Sequence, residues 1–255
     1  MNSDALTIVL MLVVAAASGL VGVFALMRKM TLASDAISHI ALPGLGIAVL
    51  LEINPLIGGA AALLLGAILI WSIERKTEIS TETIIGVMFS ASLAIGSLIT
   101  PQEELIEVLF GEARTPSLAG ALVGMLAAFV VIVFIVRMKE RLTLALVSED
   151  LATVSGISVS RMNLWFLLIF ALNIILGLQF LGVLLMGSLI IVPAAVARNL
   201  GTSLKNTLFI SVAVAVCSVG AGYWLANAYA LALGPVIISI AAALFFMSLF
   251  VAKRA

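Results

Sequence analysis

Apolar runs of bilayer-crossing length recur along the whole chain, and they constrain its fold more than any other feature. A helical span needs about 20 apolar residues. Such runs cover about 5–27, 32–51, 56–73, 84–100, 117–136, 163–178, 180–196, 206–226 and 233–251. Hydrophobic residues make up 64% of the chain and charged residues 10%, against about 45–50% and about 25% in soluble domains. A water-soluble fold of 255 residues could not hide that much apolar surface. The expectation is an all-α, polytopic transmembrane helical bundle, a single domain over 1–255. Only Gln179 separates the sixth run from the seventh, so the sequence allows nine spans, or eight with a re-entrant hairpin or a broken helix at Gln179.

Basic residues orient the spans, because cytoplasmic loops carry excess Lys and Arg. With the N-terminus outside and the C-terminus inside, the cytoplasmic side holds residues 28, 29, 75, 76, 137, 139, 141, 161, 198, 205, 253 and 254, which is all of the 13 Lys and Arg except Arg114. Asp4, Glu52, Glu103, Glu104, Glu107 and Glu112 collect outside. The zero net charge reflects this sorting and points to no nucleic-acid partner. No Lys or Arg precedes the first run, so it reads as a retained span rather than a signal peptide. With one cysteine, Cys217, an intrachain disulfide or a thiolate zinc cluster is excluded.

Within this apolar chain the only histidine, His39, follows Asp35 by four residues, in Ser34-Asp35-Ala36-Ile37-Ser38-His39. Residues four apart share a helix face, and a carboxylate and an imidazole so placed can hold one divalent cation together. An ionisable group at a helix centre in the bilayer costs about 2.5–3.5 kcal/mol on insertion scales, and such groups usually face a bundle interior or a pathway. The alternative is a buried His39 hydrogen-bonded to Asp35 and to nothing else. Pro43 and Gly44 follow within a turn and are expected to bend or break the helix just past the pair, as in transporters that build sites on discontinuous helices. Carboxylate plus imidazole suits manganese, iron and zinc. Two ligands are few, and two copies of the chain could bring two such pairs together.

The longest polar interruption, 137–161, holds Ser148-Glu149-Asp150-Leu151-Ala152-Thr153-Val154-Ser155-Gly156-Ile157. Ser148 suits an N-cap, Glu149 and Asp150 suit the positive end of a helix dipole, and Gly156 suits a C-cap. The segment reads either as a short cytoplasmic docking helix, about 149–157, or as a solvated loop. The small residues from Gly182 to Ala195, with Pro193 kinking or ending its helix, point to close packing on a neighbour. Gly120 and Gly124 form a GxxxG pair. Met88, Ser90, Ser92, Asn173, Gln179 and Met186 are candidate pathway residues. The chain lacks a P-loop sequence, an H-E-x-x-H and a G-x-S-x-G, so an enzyme reading has no residues to stand on.

Together these residues resemble the membrane permease subunits of bacterial ABC importers for zinc, manganese and iron. The sharpest part is Ser34 to His39 with Leu42-Pro43-Gly44. The Asn54-Pro55 turn, Thr83 to Met88 and Gly182 to Ala195 add to it. The resemblance implies a multi-pass protein of the bacterial cytoplasmic (inner) membrane that acts as a homodimer amid membrane lipid. It implies a separate cytoplasmic ATP-binding subunit docking on a coupling helix at Glu149, Asp150, Leu151, Ala152 and Gly156. An extracytoplasmic metal-binding protein would deliver the ion. Asp35 and His39 map onto the family's metal-contacting pair. No cofactor is bound permanently, the metal being cargo. The form His39 to Gly44 looks more like the manganese and iron members than the zinc members.

Overall fold

The computed structural model describes residues 3–100 and 117–252, leaving aside the side chains of 3, 4, 179–185 and 252, Asp4 among them. The segment 101–116, with Glu103, Glu104, Glu107, Glu112 and Arg114, lies outside the described residues, as do the side chain of Gln179 and the terminal Lys253 and Arg254. Among the described residues there are ten helices and no strand: α1 Ser3–Met27, α2 Ala33–His39, α3 Ala41–Leu50, α4 Pro55–Lys76, α5 Thr81–Ile99, α6 Leu118–Val147, α7 Glu149–Val154, α8 Val159–Leu200, α9 Leu204–Tyr229 and α10 Leu233–Ala252. Among the described residues eight stretches are long and apolar enough to cross a membrane, with Ala33–Leu50 counted as one. The bundle is all-α.

The sixth and seventh apolar runs both lie in α8. A Cβ added to Gly177 would collide with the Met186 side chain, although nine residues of straight helix would separate the two by about 13 Å. α1 shows the same geometry. Asn173 Nδ2 donates to Ser18 Oγ at 3.1 Å, while Gly22, one turn further on, packs on Ile190 and Ala194. The chain thus doubles back between 178 and 186. Residues 159–178 form a spanning limb and Met186–Leu200 a shorter apolar return limb. Pro193 sits inside that limb without ending it.

α1 is the central helix. Its apolar stretch is 72% buried, against 22% for that of α10, and it packs on α8, α9 and α6. Small residues bring the neighbours in: Ser211 Oγ on α9 donates to the Gly19 carbonyl at 2.7 Å. Of the GxxxG pair, Gly124 packs on Leu10, whereas among the described residues the close neighbour of Gly120 is its own N-cap, Ser117.

The second run is two helices, and the break falls at Ile40, just past Asp35 and His39 as the sequence leads one to expect. Proline lacks an N–H and its ring crowds the carbonyl four residues earlier, which here belongs to His39. Pro43 instead occupies the first turn of α3, where its missing N–H is no loss. Gly44 packs α3 against α4: a Cβ there would overlap the Gly58 carbonyl, and one on Gly58 would overlap the Gly44 carbonyl.

Two boundaries differ from the sequence expectation. α6 runs on to Val147, so much of the expected polar interruption is helix, and α7 ends at Val154 rather than near 157. Gly156, at φ +77°, closes it: Gly156 N–H donates to the Thr153 carbonyl at 3.0 Å and Ile157 N–H to the Ala152 carbonyl at 2.9 Å, the paired bonds of a Schellman stop.

Candidate functional site

α2 is one short helix held on three sides. It packs on α8, α5 and the following α3. Ser34 Oγ donates to the Gly187 carbonyl at 3.2 Å and to the Thr31 carbonyl at 3.3 Å. Ser38 Oγ donates to the Asp35 carbonyl at 2.6 Å. Gly187 opens the return limb of α8 directly onto the backbone of Asp35: a Cβ there would stand 2.8 Å from Asp35 Cα and 2.9 Å from its nitrogen. The absence of a side chain at Gly187 is what lets the return limb seat α2.

Asp35 and His39 share the face of α2 that their spacing predicts, but their surroundings differ. Asp35 is exposed. His39 is buried, only 6% accessible, with its ring edge-to-face on Phe89 of α5 at 5.3 Å between centroids. His39 Nδ1 is buried without a hydrogen-bond partner, and no hydrogen bond joins the imidazole to the Asp35 carboxylate. The bland alternative, a histidine satisfied by Asp35 alone, is not what the fold builds. An orphaned buried nitrogen is destabilising by about 1–3 kcal/mol, and this one lies one turn from an open carboxylate. Among the described residues no cluster of three or more His, Cys, Asp or Glu exists.

Two neighbours gauge the depth of the pair. Gly66 packs on Ile40 and lies eight residues before Glu74, a rise of about 12 Å. Gly187 packs on Asp35, three residues beyond the Ile190 that faces Gly22, and Gly22 lies six residues before Arg28. That route gives about 13 Å. Both place the pair about 12–13 Å into the bundle from the level of Arg28 and Glu74.

At that Arg28 end a second polar group ties four helix ends together. Arg28 Nη1 donates to Asn163 Oδ1 at 2.7 Å, and its guanidinium lies 4.4 Å from the centroid of Phe166. Asn163 Nδ2 and Thr81 Oγ1 both donate to Glu74 Oε1, at 3.4 Å and 2.5 Å. Trp71 Nε1 donates to the Ser160 carbonyl at 2.9 Å. Burial pushes the Arg28 pKa down to about 10, against the pull of Glu74 in the other direction. Arg28 therefore stays charged at neutral pH.

α7 adjoins this group through the first turn of α8. Ser148 Oγ accepts from Leu151 N–H at 3.2 Å, the N-cap its sequence predicts, with Glu149 and Asp150 in the first turn. Ala152 is buried, while Leu151 and Val154 are 56% and 87% exposed. Two large apolar side chains beyond the membrane boundary form a surface suited to another protein.

The candidate pathway residues do not gather in one place. Asn173 is buried against Ser18 of α1 with Oδ1 unpartnered. Met186 fills the hairpin of α8 against Gly177. Ser90 is exposed and bonds its own helix at the Gly86 carbonyl. Ser92 is buried and Met88 half-buried. The residues that sequence reasoning missed are Phe89, which carries no signal in an apolar helix, and Gly187, whose signal was the small-residue run around it.

The model of the family described as "ABC 3 transport family" matches residues 4–252. The high-affinity zinc uptake system membrane protein ZnuB of Haemophilus influenzae is 30% identical over 238 residues, 91% of each chain. The manganese import system permease protein ScaB of Streptococcus gordonii is 29% identical over 95% of this chain and 89% of its own. Among solved structures, PsaBC from Streptococcus pneumoniae in complex with Fab superposes with a TM-score of 0.83 at 27% identity, over 97% of this chain and 91% of that one. An inward-facing putative metal-chelate type ABC transporter shares the fold at a TM-score of 0.75 and 16% identity.

Proposed function

The chain belongs to the ABC 3 transport family, and from that premise we propose that it is the membrane permease of an ATP-driven importer for a divalent transition metal. The names of its relatives carry zinc and manganese, and both fit a carboxylate–imidazole pair, as does iron. The observation that carries the reading is His39: a buried ring whose Nδ1 has no partner, one turn from an exposed Asp35, on a helix that breaks at the next residue.

In this reading Asp35 and His39 replace part of the hydration shell of the ion in transit. One chain supplies two ligands, so a homodimer in which two pairs converge would complete the site and still release its cargo. The cytoplasmic ATP-binding subunit docks on α7, through Glu149, Asp150, Leu151 and Val154. Nucleotide-driven movement of α7 shifts the population of the bundle between two openings. ATP hydrolysis belongs to that subunit, and an extracytoplasmic metal-binding protein presents the ion. The sorting of Lys and Arg puts the N-terminus outside and α7 in the cytoplasm.

Two other readings make different predictions. A secondary carrier needs no ATPase, and a siderophore or cobalamin permease does not use Asp35 and His39 as direct ligands. Reconstitution of the chain with its ATP-binding subunit in proteoliposomes tests them, using radioactive zinc and manganese. The proposal expects accumulation only with ATP and the subunit present. Accumulation driven by an ion gradient without the subunit would overturn it.

A further inference from the structure

α6 carries an open groove of about 460 Å³ lined by Phe129, Val130, Val133, Phe134, Arg137, Met138 and Arg141. These residues form one stripe, since 129, 133, 137 and 141 recur at helical spacing. Leu118 to Val136 rises about 28 Å, close to the thickness of a hydrocarbon core. Arg137 and Arg141 therefore emerge at the membrane boundary, one turn apart, with the apolar part of the groove running about 12 Å back into the bilayer. Both arginines are exposed, and among the described residues neither guanidinium has a hydrogen bond or an ion pair. Glu140 lies off the groove and pairs with neither.

We propose that this groove is a binding site for one anionic phospholipid, its phosphate held between Arg137 and Arg141 and an acyl chain lying along Phe129, Val133 and Phe134. The chemistry at each end selects the occupant. Two unpartnered guanidinium forks match phosphate oxygens. Basic grooves at the cytoplasmic ends of spanning helices attract anionic headgroups, and the aromatic stripe below faces acyl chains. A second copy of the chain fits poorly, because a two-fold contact through this face would set its own arginines against each other. The site is independent of the transported cargo.

Native mass spectrometry of the full-length chain, titrated in micelles with phosphatidylglycerol or with phosphatidylcholine of the same acyl chains, tests this. The expected result is one tightly bound phosphatidylglycerol and no comparable phosphatidylcholine. At about 1 kcal/mol per basic residue, R137Q and R141Q each weaken phosphatidylglycerol about fivefold and the double variant about 25-fold. The double lysine variant, which keeps the charge, retains most of the preference, and K205Q, an exposed cation elsewhere at the same end, changes nothing. Free glycerol phosphate does not compete, because it has no chain to fill the groove. Equal retention of the two lipids by the wild type, or undiminished phosphatidylglycerol on the double glutamine variant, would overturn the site. So would a change from dimer to monomer in that variant, which would make the face a protein interface.

Discussion

Gly187→Ala is the sharpest test of how the fold holds its site, because it moves Asp35 and His39 without altering either. The added methyl would lie 2.8 Å from Asp35 Cα, 2.9 Å from its nitrogen and 3.1 Å from its Cβ. Ordinary van der Waals contact begins near 3.4 Å, so helix and limb must part by about half an ångström or more. The obstructing atoms are mostly backbone, and no rotamer change relieves them. Overpacking of this kind is destabilising by about 1–3 kcal/mol, a fivefold to 150-fold loss in the population of the seated arrangement at 1.4 kcal/mol per decade. The separation also stretches the 3.2 Å bond from Ser34 to the Gly187 carbonyl. The matched control is Gly220→Ala on α9, whose Cβ would meet only Leu12 Cδ2 at 3.8 Å. Both variants go through ATP-driven metal uptake in proteoliposomes with the ATP-binding subunit, with thermal unfolding measured alongside. Gly187→Ala is expected to lose at least fivefold in uptake while Gly220→Ala transports normally. Wild-type uptake by Gly187→Ala would refute the claim that the return limb of α8 seats the pair.

Other perturbations probe the parts around it. Gly156→Ala forces an alanine to φ +77°, a conformation that costs an L-residue about 1–2 kcal/mol, so α7 should fray and co-purification of the ATP-binding subunit should fall; unchanged retention argues against α7 as the docking helix. Leu151→Asp with Val154→Asp changes only exposed side chains of that helix and should abolish subunit binding on a pull-down while leaving the melting temperature of the isolated chain unmoved. Asn163→Ala removes the acceptor of Arg28 and one donor to Glu74. Leaving a buried charge short of a partner costs about 1–3 kcal/mol, and a melting curve coincident with wild type would show the four-helix tie to be dispensable.

What the sequence discloses follows the range of the forces involved. The bundle was legible because hydrocarbon imposes one secondary structure on every long apolar run. Asp35 and His39 stood out because ionisable groups are rare at depth. Ser148 and Gly156 were readable because capping is local: each acts within one turn. The break just past His39 was legible because proline acts locally, on the carbonyl four residues before it. α6 was cut short because hydropathy marks the membrane boundary, whereas Arg137 to Leu146 are helix formers on either side of it. The reversal in α8 was left open between two readings, since only contacts such as Gly177 with Met186 and Gly22 with Ile190 decide it. The seat of Asp35 on Gly187 joins residues about 150 apart, and no local pattern encodes such a pairing.

The central claim is that Asp35 and His39 touch the metal. Elemental mass spectrometry tests it most directly, comparing total manganese, zinc and iron in cells that rely on this chain for uptake with cells carrying Asp35→Ala or His39→Ala at equal membrane expression. The account predicts that both variants lose most of one metal's accumulation and leave the others unchanged, which also names the cargo. Unchanged content of all three metals in both variants would contradict it and leave the pair as part of the scaffold.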